Sequence, residues 1–130
     1  MWMKAQSEVV RQRNLLRQQQ TTGDALLEKF RTASREEVRL AAALQGFFTQ
    51  EGGEDYLAYL RRRPQPAALA LLEENRILEL ERLEQAVGLR YAQVEDLLER
   101  AIAMGRPEAT VWLLRRKEEY YGFRDRDFSL

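Results

Sequence analysis

Two helices are predicted most clearly in residues 92–114, AQVEDLLERAIAMGRPEATVWLL. Gly105 suits the left-handed conformation that ends a helix, and Pro107 suits the first turn of the next one. Apolar residues recur at steps of three and four on both sides of this break, as they do on one face of an α-helix. We predict one helix over 92–104, and its inward residues are Val94, Leu97, Leu98, Ala101 and Ile102. The second begins at Pro107 and carries Val111, Trp112 and Leu114.

The same spacing predicts helices through the rest of the chain. We expect a long helix from Pro66 to Val87, which Gly88 closes. Four helices precede it: residues 2–20, a helix from Asp24 through Phe30, one that opens at Ser34 and reaches Phe48, and one through Tyr56–Leu60 that Pro64 stops. No apolar and polar alternation persists between turns, so we predict no strand. The predicted fold class is all-α: one domain over residues 1–130, a compact bundle of six or seven short helices packed as antiparallel hairpins.

The composition and charge of the chain indicate what class of protein it is. The chain has 130 residues, 45% of them hydrophobic and 32% charged, which is typical of a single globular domain. Its net charge is zero, so nothing global attracts it to nucleic acid or to an anionic membrane. Residues 1–35 hold seven basic and three acidic groups, whereas residues 73–100 hold four basic and eight acidic ones. These stretches either face each other, within the fold or across a homodimer, or form separate solvated faces.

Several classes of function lack their usual residues. The chain has no cysteine and no histidine, which removes thiolate nucleophiles, the commonest general base and the usual zinc ligands. It has no glycine-rich phosphate loop, and its carboxylate clusters at 95–99 and 51–55 do not follow the calcium-loop pattern. We therefore expect no enzyme activity, no cofactor and no metal. No apolar run of about 18 residues is present, so we expect no membrane span and a cytoplasmic location.

The two ends of the chain carry the candidate protein-binding residues. Residues 120–130, YYGFRDRDFSL, read as an extended aromatic tail without helical period. This tail either caps the core or docks on another protein, because aromatic residues and arginine are enriched at interfaces. The N-terminal helix, within residues 1–22, either projects or pairs with a second copy. The predicted binding residues are Tyr120, Tyr121, Phe123, Arg124 and Phe128, with Arg11, Arg13 and Arg17 as a secondary surface.

Residues 96–116, DLLERAIAMGRPEATVWLLRR, resemble the helix pair of an ankyrin repeat. The small residue Ala101 lets two helices approach, Gly105 turns the chain, and Glu108 suits the N-terminus of the second helix. The other matching positions are Leu98, Ile102, Leu113 and Leu114. The turn that opens an ankyrin repeat is absent, and only one such unit is present, whereas a repeat array needs about three. The resemblance implies a helical-hairpin edge suited to protein binding, and the alternative is a generic helical hairpin.

Residues 83–98, LEQAVGLRYAQVEDLL, resemble a DNA-binding helix-turn-helix. Gly88 would make the turn, and Arg90, Tyr91 and Gln93 would face the DNA groove, since arginine and glutamine suit base edges. Glu84 occupies a position where this motif usually has a small residue, and the second helix is acidic, which would repel phosphates.

The sequence thus predicts a non-catalytic protein-binding module, an adaptor, inhibitor or regulatory subunit, whose partner is another protein. The alternative is a helix-turn-helix DNA-binding regulator, and only that alternative makes nucleic acid a partner.

Overall fold

Residues that start and stop helices divide the chain into short helical segments. A computed structural model describes residues 7–49 and 54–128, with side chains as far as residue 119. The described residues form eight α-helices and no strand: α1 (Glu8–Gln18), α2 (Gly23–Thr32), α3 (Glu36–Phe48), α4 (Glu54–Arg62), α5 (Pro64–Glu73), α6 (Ile77–Val87), α7 (Tyr91–Met104) and α8 (Pro107–Phe128). The predicted all-α fold class is confirmed.

The core lies between antiparallel neighbours, as predicted. Helix α3 is central because it packs against α1, α2 and α4, and its residues Leu40–Leu44 are all buried. Helix α5 packs against α6, and α7 packs extensively against α8. Each fully buried leucine in such a core stabilises the fold by about 2 kcal/mol relative to an exposed one. Within the described ranges, no helix is both long and apolar enough to cross a membrane.

The single helix predicted from Pro66 to Val87 is wrong, because the structure has two helices there. Helix α5 ends at Glu73, and Asn75 adopts the left-handed conformation with φ of 58°. Asparagine tolerates this conformation better than other side chains do, so it turns the chain without a glycine or proline. The amide of Arg76 then donates to the carbonyl of Leu71 at 3.0 Å, which closes α5 before α6 begins. This break raises the number of helices in the described ranges to eight.

The ends of the chain also differ from the expectation. Helix α1 packs against α3, so its described part does not project. It begins after Ser7, whose hydroxyl accepts the amide of Val10 at 3.3 Å, and residues 1–6 of the predicted first helix lie outside the described residues. Helix α8 continues to Phe128, so the backbone of residues 120–128 is helical and not extended. Helix extension adds one backbone hydrogen bond per residue and does not require an apolar period, which is why the periodicity missed it.

The ring of Tyr56 fixes the distance between α3 and α4. It is buried and lies directly over Gly46 of α3, where an added Cβ would meet three ring atoms. The same ring packs edge-on against Phe30 of α2, with ring centres 5.1 Å apart. Only a glycine lets an aromatic ring lie this close to a helix backbone. Tyr56 therefore joins α4 both to α3, through Gly46, and to α2, through Phe30.

The positive charge of Arg13 lies inside the fold. Arg13 of α1 is only 2% exposed, and its Cζ lies 5.2 Å from the ring centre of Phe48. Its guanidinium donates to Gln45 Oε1 at 3.1 Å, to Glu74 Oε1 at 3.2 Å and to Glu79 Oε1 at 2.8 Å. We call Arg13, Gln45, Glu74 and Glu79 the Arg13 cluster. Because a buried charge is tolerated only when it is paired and hydrogen-bonded, this cluster joins α1 to α3 and to both sides of the α5–α6 turn.

A second set of polar contacts lies at the start of α1. The carboxylate of Glu8 accepts hydrogen bonds from Gln12 at 2.8 Å, from Arg11 at 2.7 Å and from Arg35 at 2.8 Å. These bonds, that of Gln12 first and then those of Arg11 and Arg35, lower the pKa of Glu8 from 4.5 to about 2. Hydrogen bonds to the charged form favour ionisation of a carboxyl group.

This lowered pKa predicts a pH dependence of stability. Because the pKa is lower in the folded state, Glu8 stabilises the fold fully above its unfolded pKa of 4.5, and this contribution is lost as the pH falls towards 2. We expect the Tm of the wild type to exceed that of Glu8→Gln at about pH 6, and the difference to disappear near pH 2. Thermal melts followed by circular dichroism check this. A Tm difference that stays constant over this range would contradict it.

Candidate functional site

The hairpin of α7 and α8 forms as the sequence predicted. Gly105 adopts the left-handed conformation with φ of 67°, and its amide donates to the carbonyl of Ile102 at 3.1 Å. Pro107 then begins α8, where its missing amide proton is not needed. Between the two helices the small residues Ala101 and Ala109 are fully buried, which allows a close approach.

The opposite side of this hairpin leaves apolar side chains in solvent. Ile102 of α7 is 61% exposed, and Val111 and Leu114 of α8 are each 48% exposed. On α8 the buried residues Ala109 and Leu113 define the inner face, and positions 111 and 114 fall on the other side of a helix with 3.6 residues per turn. We call Ile102, Val111 and Leu114 the outer apolar edge.

The inward position predicted for Ile102 is therefore wrong. The four other residues predicted to face inward on α7 are buried and define its inner face: Val94, Leu97, Leu98 and Ala101. Ile102 follows the last of them by one residue, which turns it by about 100° away from the core. The sequence did carry a signal for this edge. On α8, Val111 and Leu114 form a second apolar stripe, which lies on a different side of the helix from Ala109 and Leu113.

A shallow groove with a charged rim lies beside this edge. It has a volume of about 450 Å³ and is lined by Val111, Leu114, Arg115, Lys117 and Glu118. Lys117 Nζ lies 3.6 Å from Glu95 Oε2 of α7, so this side chain spans the hairpin. An apolar centre with a charged rim is the usual composition of a protein-binding patch. The arrangement suits non-covalent contact with a protein surface.

The predicted tail residues continue the helix that carries this edge. The backbone of α8 runs through Tyr120, Tyr121, Phe123, Arg124 and Phe128, but their side chains lie outside the described part of the structure. The prediction that these five residues bind a partner stays a prediction. The alternative, that the tail caps the core, concerns the same side chains and also stays a prediction.

The secondary surface of N-terminal arginines is only partly at the surface. Arg11 is exposed and pairs with Glu8, but Arg13 is buried in the Arg13 cluster. Arg17 is one-quarter exposed and donates to Glu74 Oε2 at 2.9 Å. Placing Arg13 on an exposed surface is therefore wrong, because acidic side chains at the α5–α6 turn complement the basic ones of α1. At these positions the basic N-terminal stretch faces the acidic stretch within the fold.

The residues of the helix-turn-helix alternative have contacts within the protein. Gln93 Oε1 accepts the backbone amide of Arg90 at 2.9 Å, so this side chain caps α7. The hydroxyl of Tyr91 donates to Glu95 Oε2 at 3.3 Å, and Arg90 is exposed. Glu84 is buried and accepts Arg116 Nη2 of α8 at 2.8 Å, which joins α6 to α8. Helix α6 packs mainly against α5, whereas in a helix-turn-helix the two helices pack on each other.

The described residues include no group of three or more side chains that could hold a metal ion. Asp96, in one of the carboxylate clusters, instead accepts a hydrogen bond from Arg100 at 3.0 Å. Comparison with protein-family models, with curated proteins and with solved structures finds no match to this chain.

Proposed function

We propose that this protein is a non-catalytic protein-binding module, an adaptor, inhibitor or regulatory subunit, which docks a protein partner on the outer apolar edge. The observation that supports this most strongly is the exposure of Val111 and Leu114, which line a groove of about 450 Å³, while Ile102 is exposed on the neighbouring helix α7. Burying such side chains on association releases about 25 cal/mol per Å² of apolar surface.

The position of the accessible charges also supports the outer apolar edge as the docking surface. Arg115 and Glu118 are exposed at the rim of the groove, where polar groups orient a partner more than they add affinity. In contrast, the charges of the Arg13 cluster bond to one another and are shielded from a partner. The α7–α8 surface therefore combines apolar area with accessible charge.

The test is affinity capture with the full chain and matched variants. We expect Val111→Gln/Leu114→Gln to lose the captured partner, because glutamine keeps the helix propensity of leucine but adds no apolar surface. Leu78→Gln is the control, since Leu78 is a 78% exposed leucine on α6. Circular dichroism should show unchanged helicity and melting in both variants, as expected for surface substitutions.

Capture of the same partner by the edge variant and the wild type would contradict the proposal. A chain that ends at residue 119 separates the edge from the tail in the same assay. If this shortened chain alone loses the partner, residues 120–130, which include the five predicted tail residues, carry the binding and the edge does not.

A further inference from the structure

The outer face of α8 carries a short stripe that is complementary to itself. Glu108, Val111 and Arg115 are all exposed and follow one another at steps of three and four, so they share one side of the helix. An acidic group thus lies on one side of an apolar residue and a basic group on the other. Neither Glu108 nor Arg115 takes part in an ion pair within the described ranges, whereas Arg116 and Lys117 on the same helix pair with acidic groups.

We propose that the outer apolar edge binds a second copy of this chain, with the two α8 helices antiparallel; this inference rests on the proposed function. A two-fold axis close to Val111 places the two Val111 side chains against each other. It also brings Glu108 of each copy to the level of Arg115 of the other. Symmetry repeats every contact of such an interface, so one stripe supplies two ion pairs around one apolar centre.

The favoured occupant is a second copy because the stripe has no excess charge. A two-fold interface requires one patch that complements itself, and this stripe holds one anion and one cation around an apolar centre. The zero net charge of the chain also removes long-range repulsion between copies. The apolar area is small, so the dimer is weak, with a Kd of about 10–100 µM.

The experiment is sedimentation velocity of the full chain over a concentration range that spans this Kd. We expect the wild type to shift from monomer to dimer with concentration. Arg115→Glu should weaken association about tenfold or more, because symmetry then places two pairs of like charges together. Glu108→Arg/Arg115→Glu restores opposite charges at both pairs, so its Kd should return to within about threefold of the wild type.

A matched control separates this pairing from net charge. Arg61→Glu reverses an exposed arginine at the end of α4 and changes the net charge as Arg115→Glu does. We expect it to associate as the wild type does. Equal weakening by Arg61→Glu and Arg115→Glu, or no recovery in the double variant, would overturn the proposed pairing.

Failure of this inference differs from failure of the proposed function. A wild-type chain that stays monomeric throughout overturns the second copy as the occupant. The capture assay decides the proposed function separately, because it asks whether Val111 and Leu114 hold any protein partner.

Discussion

Gly46→Ala is expected to lower the free energy of unfolding by about 2–3 kcal/mol, because the new methyl group has no room. A Cβ at this position would lie 2.5 Å from Cδ2 and Cζ of Tyr56 and closer still to Cε2. The ring is 1% exposed and packs on Phe30, so it cannot turn aside without disturbing α2. The gain of about 1 kcal/mol that alanine usually brings to a helix is smaller than this cost. Chemical denaturation measures the difference.

Removing the ring should reverse the sign of this effect. In a Tyr56→Ala background the methyl group at position 46 enters the space that the ring left, and only its helix propensity remains. Gly46→Ala is then expected to stabilise the protein by up to about 1 kcal/mol. If Gly46→Ala destabilises both backgrounds equally, contact with Tyr56 is not the reason for glycine at this position.

Arg13→Ala is expected to cost about 3 kcal/mol of unfolding free energy, since removing one partner of a buried ion pair leaves the other charge uncompensated. The side chain of Glu74 is only 7% exposed and loses one of its three arginine partners, although Arg17 remains at 2.9 Å and Arg76 at 3.6 Å. The substitution also removes the packing of the guanidinium on Phe48. Urea denaturation at neutral pH checks this value.

Arg11→Ala is the matched control on the same helix. The side chain of Arg11 is 60% exposed and pairs with Glu8 at 2.7 Å. Exposed ion pairs are screened by water and salt, so we expect a loss below about 1 kcal/mol. If Arg13→Ala and Arg11→Ala lowered the free energy of unfolding equally, burial of Arg13 would not determine how much it contributes to stability. Adding Glu79→Gln to Arg13→Ala should recover part of the loss, because without Arg13 the charge of Glu79 keeps only Arg76, at 3.9 Å, as its ion-pair partner.

The sequence predicted the fold where the signals were local. Gly105 and Pro107 each prescribe a backbone conformation, and the helix ends that meet at this turn, Met104 and Pro107, were predicted correctly. The break at Asn75 could not be predicted in the same way, because asparagine also occurs within helices and no glycine or proline accompanies it. The choice of the left-handed conformation there depends on the packing of α5 and α6 around it.

The candidate surface was predictable only in part, because exposure depends on neighbours distant in the chain. An arginine in an amphipathic helix normally indicates a solvated position, and nothing near Arg13 in the sequence shows that Glu79 neutralises it. Adjacent leucines pose the same problem on α8, where Leu113 is buried and Leu114 is half exposed. A single sequence shows where the apolar stripes lie on each helix, but it does not show which of these stripes are buried in the core.

The Arg13 cluster has a consequence for the order in which the fold assembles during synthesis. Arg13 is separated from Gln45, Glu74 and Glu79 by 32, 61 and 66 positions along the chain. On a ribosome that adds about 5–20 residues per second, α1 therefore waits several seconds before its central charge has all its partners. The local hairpin of α7 and α8 needs no such wait, because its two helices are neighbours in the chain.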